Sequence, residues 1–480
     1  MTTNSHPPLC IDLDGTLIYS DMLHESTLSM LKVKPFAALR LPGWLLQGKA
    51  VLKEKVAAAG DFNPATLPYN QAFVDWLRTQ HAQGRRLILC TASDQKIAQR
   101  IAEHLQVFDE VMASEGAVNL AGANKADALV QRFGEKGFDY AGNSSADIAV
   151  WEHARNAVVV NASATVLQDA ESCVEVEQVF AGPNKGIAVW RRVLRMHQWL
   201  KNILLFIPLI AAHRIADMDA WLSLLLGFLA FSLCASSVYI ANDLLDLESD
   251  RAHPRKCQRP FASGSVPVWQ GCIAAPILLL ASFGIACHVG GSFLPWLVGY
   301  FLLTCLYSLK LKQLALVDCL TLALLYTLRI LSGAAAVSLS MSFWLLAFSG
   351  FLFLSLSFVK RFAELQMQIL HNKHKAHGRG YYSSDAPLVQ MLGIASGFSA
   401  VLVLAMYLNS KEVLLLYRNP EWIWGTVPVM LFWISWMWLR AARGEMHDDP
   451  LVFAVKDKAS LLAGLVFAIL LVAGSVGGMA

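Results

Sequence analysis

The chain has 480 residues, 55% of them hydrophobic and only 16% charged, a balance that excludes an ordinary soluble protein. Its net charge of +3 supplies no polybasic surface, so no nucleic-acid partner is expected. Charges are scattered through residues 1–200 and afterwards confined to short clusters between apolar runs, as in a soluble domain followed by a membrane domain.

The opening MTTNSHPPLCIDLDGT has neither a basic n-region nor an apolar h-region, so no secretory signal is expected there. Nine cysteines occur singly, without a CxxC pair, which points to apolar packing or a reduced cytoplasmic setting rather than disulfides or zinc. Neither an internal repeat nor a long low-complexity segment is visible.

Residues 9–13, LCIDL, read as a buried strand, and the DGT that follows supplies a tight turn. Further strands are expected at 86–93 (RLILCTAS), 138–144 (FDYAGNS) and 156–163 (NAVVVNAS), separated by helical stretches such as 94–105. Alternating strands and helices predict a parallel α/β sheet with ligands at the carboxyl ends of its strands. Those ends carry Asp12 and Asp14 in DLDGT, Thr91 in LCTAS, Lys125 in ANKADAL and Asp147 in GNSSAD. Phosphoryl transfer through an enzyme aspartate needs one carboxylate as nucleophile and a second as acid/base. It also needs carboxylates for Mg²⁺, with a cation and a hydroxyl for the phosphoryl oxygens. A lone DxD is more often a solvated turn; the ordered set favours chemistry.

The set resembles the haloacid dehalogenase (HAD) phosphatase superfamily over about residues 8–165. The resemblance implies that Asp12 is the nucleophile and Asp14 the general acid/base, that Thr91 and Lys125 hold phosphate, and that Asp12, Asp14 and Asp147 bind Mg²⁺. One position departs from the family: Asn143 follows Gly142 where an acid is usual, so weaker metal binding or an altered rate is expected. The HAD-like Rossmannoid domain is expected to occupy residues 1–180. About 75 residues separate its first and second motifs, far more than a crossover needs, and a helical cap at about 22–83 is expected to fill them. Within it, the apolar stretch PGWLLQGKAVLKEKVAAAG is expected to pack inside the cap, Trp44 and Leu46 included, ahead of contacting a membrane.

After a linker at 181–193, apolar runs of membrane-spanning length recur, and nine spans are placed. They are 199–212, 220–241, 268–288, 293–309, 314–337, 343–359, 389–408, 422–439 and 459–479. Loops after even-numbered spans are rich in Lys and Arg, from Arg251 through Lys373 and Lys375 to Lys458; the opposite loops hold Arg214, Lys411 and Arg418. The positive-inside rule places the rich side and the N-terminal domain in the cytoplasm, with a bacterial inner membrane as the expected location.

Residues 239–260, YIANDLLDLESDRAHPRKCQRP, lie on the cytoplasmic rim of the second span. At 3.6 residues per turn, Asn242, Asp243, Asp246 and Asp250 share a stripe, while Glu248 faces elsewhere. Carboxylates so close repel unless a cation joins them, and oxygen ligands with substrate phosphates are what Mg²⁺ accepts. Beside them, Arg251, Arg255, Lys256 and Arg259 are expected to grip a polyanionic substrate or lipid headgroups. A solvated loop is the plainer reading, but acids do not help orientation and three on one stripe need a reason.

This stretch, with RMHQWLKN before the first span, resembles the UbiA superfamily over about residues 194–479. The resemblance implies an all-α, nine-helix transmembrane domain, residues 194–480, that binds a donor diphosphate through Mg²⁺. Asp243, Asp246 and Asp250 then become metal ligands and catalytic residues. Aromatic prenyltransferases of the superfamily carry a second acidic motif after the sixth span, but here the chain reads FVKRFAELQ, with Lys360, Arg361 and Glu364 on one helical face. Together with QWLKN, YSLKLK, VDCLTLALLYTLRILSG and YYSSD, this resembles the decaprenyl-phosphate phosphoribosyltransferase branch. Members of that branch move phosphoribose from 5-phosphoribosyl pyrophosphate (PRPP) onto a polyprenyl phosphate. Lys201, Asn202, Asn242, Arg259, Tyr307, Lys310, Arg329, Lys360, Arg361 and Glu364 are the expected substrate contacts. Snorkelling to the membrane face is the plainer reading for Lys310, Lys360 and Arg361. Arg329 lies inside an apolar span, where charges are usually functional.

The expected activity is bifunctional: phosphoribosyl transfer, then removal of the 5-phosphate by the tethered HAD domain. One competing expectation is an aromatic polyprenyltransferase using a prenyl diphosphate and a 4-hydroxybenzoate-like acceptor, with the HAD domain serving a separate substrate. Another is a lipid-binding or transport protein with a non-catalytic N-terminal module.

Overall fold

The structure, a computed structural model, describes residues 6–480 apart from 35, 36, 38, 39, 61, 115–119, 184, 185, 371–378, 411–416, 418, 447, 448 and 477–480. The expected loop charges Lys373, Lys375, Lys411 and Arg418, and the end of the last span, lie outside the described residues. Two compact units divide the chain: Met1–Leu194 with Tyr239–Pro276, and Arg195–Val238 with Ile277–Ala480.

In the first unit, six parallel strands form one sheet: β1 (Leu9–Ile11), β2 (Leu87–Asp94), β3 (Glu110–Ser114), β4 (Asp139–Gly142), β5 (Asn156–Val160) and β6 (Glu175–Phe180). Their order is β3-β2-β1-β4-β5-β6. Chain direction across the sheet reverses between β1 and β4, the switch point where doubly wound sheets open a crevice at their carboxyl ends. Alternation along each strand divides the core. Leu9, Ile11, Leu87 and Leu89 join one apolar cluster, and Cys10, Ile88 and Cys90 join the other. With both faces covered, β1, β5 and the first half of β2 read as unbroken apolar runs rather than alternating ones.

Among the described residues, four α-helices lie between β1 and β2: α1 (Met22–Val33), α2 (Leu41–Leu46), α3 (Lys49–Ala59) and α4 (Gln71–Ala82). Asp21 caps α1 through the Leu23 amide, and Asn70 caps α4 through the Phe73 amide. Phe73, Val74 and Leu77 of α4 belong to the sheet's own cluster, so α4 flanks the sheet although it falls within the expected cap. The packing expected of Leu46 is not met: no residue of α2 is fully buried and Leu46 is 90% exposed, whereas Trp44 is half-buried. A six-residue helix opened by Pro42 is too short to bury a whole face.

Seven helices among the described residues are long and apolar enough to cross a membrane: Met218–Leu245, Val268–Val289, Val317–Ala336, Phe343–Leu370, Ser383–Leu408, Pro420–Ala442 and Lys458–Ser475. Phe293–Leu309 is a shorter apolar helix. The expected first span is irregular: Met196–Phe206 winds as a 3₁₀ helix before a five-residue α-helix, Ile207–Ala211. Pro208 has no N–H to give a helix running through from 204, and the 3₁₀ segment buries Lys201 and Asn202.

Candidate functional site

Asp12 follows the last residue of β1, and the next turn is made by Gly15 at φ +76°. A Cβ on Gly15 would lie 2.2 Å from the Asn143 side-chain nitrogen, so only glycine lets the loop after β4 close against DGT. Thr16 donates to Asn143 Oδ1 at 3.3 Å across the same seam. Lys125, near the start of α6 (Ala123–Phe133), reaches back over β1 and donates to Asp12 Oδ1 at 2.7 Å and to Tyr140 Oη at 2.8 Å. Tyr140 in turn donates to Asp147 Oδ1 at 2.9 Å. A buried chain, Asp12, Lys125, Tyr140, Asp147, therefore ties the ends of β1 and β4 together. Thr91 is fully buried and accepts from the Ser93 amide at 3.0 Å, shaping the turn after β2.

Burial raises the Asp12 pKa, opposed chiefly by the adjacent Lys125 ammonium. Asp14 is pushed up to about 7, first by burial and then by repulsion from Asp21 and Asp12. Hydrogen bonds from the Met22 amide (2.8 Å) and Ser93 Oγ (2.7 Å) only partly offset this. Such a carboxyl still holds its proton near neutrality and is suited to protonate a leaving oxygen. Burial disfavours the Lys125 cation, but Asp12, Cys90 and Asp147 together outweigh it, and its pKa rises. From the cap, Lys53 of α3 donates to the Ala92 carbonyl at 2.8 Å, beside the Ser93 that holds Asp14.

Asp147 spends both oxygens within the fold. Oδ2 accepts from the Asn143 amide, the Ser144 amide and Ser144 Oγ, and Oδ1 accepts from Tyr140. The oxygen donors Asp12 and Asn143 suit a hard divalent cation, with Asp147 holding the loop in shape.

Farther along the first unit, the helix Met218–Leu245 ends at Asp246, and a short helix, Leu247–Arg251, follows. Helical hydrogen bonds nevertheless link Asn242 to Asp246 and Asp246 to Asp250, so the expected stripe persists through the break. Arg259 Nη1 bridges Asp243 Oδ1 (3.1 Å) and Asp250 Oδ2 (2.6 Å). Asp250 Oδ1 is buried without a hydrogen-bond partner, and Lys256 Nζ lies 3.7 Å away. A buried, unsatisfied carboxylate oxygen beside a second carboxylate fits an oxygen-ligated cation. Asn242 and Asp246 are half-buried, and Glu248 is exposed, as the helical spacing requires. Among the described residues, no three His, Cys, Asp or Glu side chains stand gathered as a ready metal cage.

In the second unit, several expected substrate residues converge on an acid that the sequence reading missed. Lys201 Nζ and Lys360 Nζ both reach Asp449 Oδ2, at 2.7 and 3.2 Å. Tyr326 donates to the same carboxylate. Arg329 bonds Asn202 Oδ1 at 2.9 Å and Tyr300 Oη at 3.0 Å, and its guanidinium lies 5.7 Å from the Tyr326 ring centre. Arg361 is drawn elsewhere: fully buried, it pairs with Asp318 at 2.5 Å and with Glu364, and Tyr381 donates to Asp318. Lys310 is exposed just beyond Phe293–Leu309, and Tyr307 is half-buried on its last turn. Asp449 stands before Pro450 at a helix start, a capping signal legible in sequence; its two lysines are not.

Residues 203–456 match the UbiA prenyltransferase family, and residues 9–152 match haloacid dehalogenase-like hydrolases. The chain is 38% identical to an uncharacterized protein, y4nM, of Sinorhizobium fredii, over 96% of this chain and 90% of that one. It is 34% identical to the decaprenyl-phosphate phosphoribosyltransferase of Mycolicibacterium smegmatis, over 42% of this chain and 64% of that one. A UbiA homolog from Archaeoglobus fulgidus, solved with GPP and Mg²⁺, superposes with a TM-score of 0.43 at 15% identity, covering 60% of this chain and 98% of that one. The two family matches and the apolar helices make the chain an integral membrane transferase coupled to a phosphatase domain, and it belongs to the UbiA prenyltransferase family.

Proposed function

We propose that the membrane domain, residues 194–480, transfers 5-phosphoribose from PRPP to a polyprenyl phosphate, and that residues 1–180 then remove the 5-phosphate. The observation that carries this reading is the meeting of Lys201 and Lys360 at Asp449, with Arg329 against the same Tyr326 ring as Lys201, a cationic cluster where an aromatic prenyltransferase would present acids. A donor with a third phosphate and a phosphate acceptor bring more negative charge than an allylic diphosphate with a neutral ring. Similarity to a decaprenyl-phosphate phosphoribosyltransferase supports the same choice.

In the transfer, the C1–O bond of PRPP breaks and pyrophosphate leaves with the electron pair. A lipid phosphate oxygen, already anionic, bonds to C1, so no general base is required. Asp243, Asp246 and Asp250 would hold Mg²⁺, which would supply charge neutralisation of the diphosphate. Arg259 holds two of those carboxylates together, and Lys201, Arg329 and Lys360 orient phosphates. In the second step Asp12 attacks the 5-phosphate phosphorus while Asp14 protonates the departing ribose oxygen; water then cleaves the acyl phosphate, releasing phosphate and restoring Asp12. There Asp12 and Asn143 would hold Mg²⁺, on the loop that Asp147 keeps in shape. The Lys- and Arg-rich loops after the even-numbered spans support a cytoplasmic side for both sites.

The purified chain in lipid nanodiscs, given polyprenyl phosphate, Mg²⁺ and either PRPP or geranyl diphosphate, is followed by mass spectrometry of the lipid. PRPP should yield polyprenyl-phosphoryl-ribose, and Asp12→Asn should stop at the 5-phosphorylated lipid. Product from geranyl diphosphate and an aromatic acceptor alone would refute the donor. An unchanged final product in Asp12→Asn would refute the second step.

A further inference from the structure

We propose that Asp449 is a built-in counter-ion that stands in for a substrate phosphate group in the resting enzyme and withdraws when that phosphate binds. The inference rests on the transferase reading above and adds to it a residue that sets how readily the anion site is entered.

The carboxylate has the surroundings that a phosphate monoester takes. Two ammonium groups from distant parts of the chain, Lys201 and Lys360, meet at a single oxygen, and the Tyr326 hydroxyl donates to the group from a third helix. Lys201 also lies over the Tyr326 ring at 5.6 Å, which fixes its ammonium from the other side. Cations bonded to one carboxylate in a buried setting attract it strongly, and a doubly charged phosphate more so.

Lys201 and Lys360 share one oxygen of Asp449, and a phosphate dianion offers the same two ammonium groups more charge than one carboxylate does. Lys360 is 29% exposed, against 10% for Lys201, so one end of the cluster is open to an arriving group.

Attachment of Asp449 suits withdrawal. It is the cap of a seven-residue helix, Pro450–Lys456, and its bond from the Leu451 amide is a long 3.3 Å. Trading its lysines for a phosphate therefore asks little of the backbone, because only a helix end has to move.

The test is binding of inorganic pyrophosphate and of PRPP to the full chain in nanodiscs, by calorimetry, for wild type, D449N, D449S and K201Q. Asn and Ser both cap helices, so these variants remove the charge and keep the cap. D449N and D449S should bind pyrophosphate about tenfold more tightly, because the competing carboxylate is gone, while K201Q should bind more weakly. Binding by the Asp449 variants at wild-type strength or below would overturn the proposal. In wild-type protein, saturating pyrophosphate should speed amide exchange across residues 449–456; unchanged or slower exchange would overturn it without any substitution. A wild type that ignores PRPP while D449N gains pyrophosphate affinity would sink the phosphoribosyl donor and leave the part assigned to Asp449 standing.

Discussion

Arg251 holds Glu25 end-on, Nη2 to Oε1 at 2.7 Å and Nη1 to Oε2 at 3.0 Å, with both side chains more than nine-tenths buried. Glu25 lies on α1 of the phosphatase cap, and Arg251 follows Asp250 of the transferase's aspartate-rich stretch. Expected as a substrate grip, Arg251 is instead committed to the cap and to the Ala262 carbonyl. Close by, a Cβ on Gly264 would fall 2.3 Å from the Tyr19 Cβ, so the two segments meet with no room for a side chain. Glu25→Ala should leave a buried, unpaired guanidinium and cost about 3–5 kcal/mol of local stability, read as faster amide exchange in residues 247–263. Adding Arg251→Met should recover most of the loss.

Asp14 gives a pH dependence with a definite sign. Its pKa in the fold, about 7, is raised above the ordinary 3.8, so between these values the native state holds a proton that the unfolded chain has released. Stability from this group is therefore full at low pH and falls as pH rises from about 4 towards about 7. Thermal melts of the full chain in chelator should show that slope, and Asp14→Asn should flatten it.

Asn143 sits where a further carboxylate would meet the metal. Asn143→Asp should lower the Mg²⁺ concentration needed for hydrolysis of p-nitrophenyl phosphate by about 10–100-fold. In chelator the same change should reduce the melting temperature, since it adds a negative charge beside Asp12 and Asp14.

Asp243→Asn should reduce lipid product formation by about 100-fold or more, and p-nitrophenyl phosphate hydrolysis should not change. Parallel assays on one preparation check both halves of that statement.

Asp318→Asn should be costly in a different way. It leaves Arg361 fully buried beside Glu364 alone, and about 3–5 kcal/mol of stability should be lost, seen as a lower melting temperature.

Much of this was legible in the residues. Strand β1 and its DLDGT turn, the lysine at 125 and the loop at 142–147 announce themselves because local pattern and motif coincide there. Strands β3 and β6 were not foreseen: β6 is mostly exposed, so its EVEQVF lacks an apolar signature. Helix α4 read as cap because its helical pattern does not say which surface it covers. The 3₁₀ segment at 196–206 buries Lys201 and Asn202, an arrangement that hydropathy does not register. In the membrane unit, sequence marked Lys201, Arg329 and Lys360 as unusual but not their partner, because Asp449 lies 248 residues beyond Lys201. The same limit hid Asp318 as the destination of Arg361.

Asp250 and Arg251 are consecutive residues with separate allegiances, the first to Asp243 through Arg259 and the second to Glu25. Both belong to the short helix Leu247–Arg251. Under the proposed function, a donor and metal bound at Asp250 would act on that helix, so any shift of it would reach the clasp on the cap, and by thermodynamic reciprocity a cap that lets go would alter the affinity for the donor.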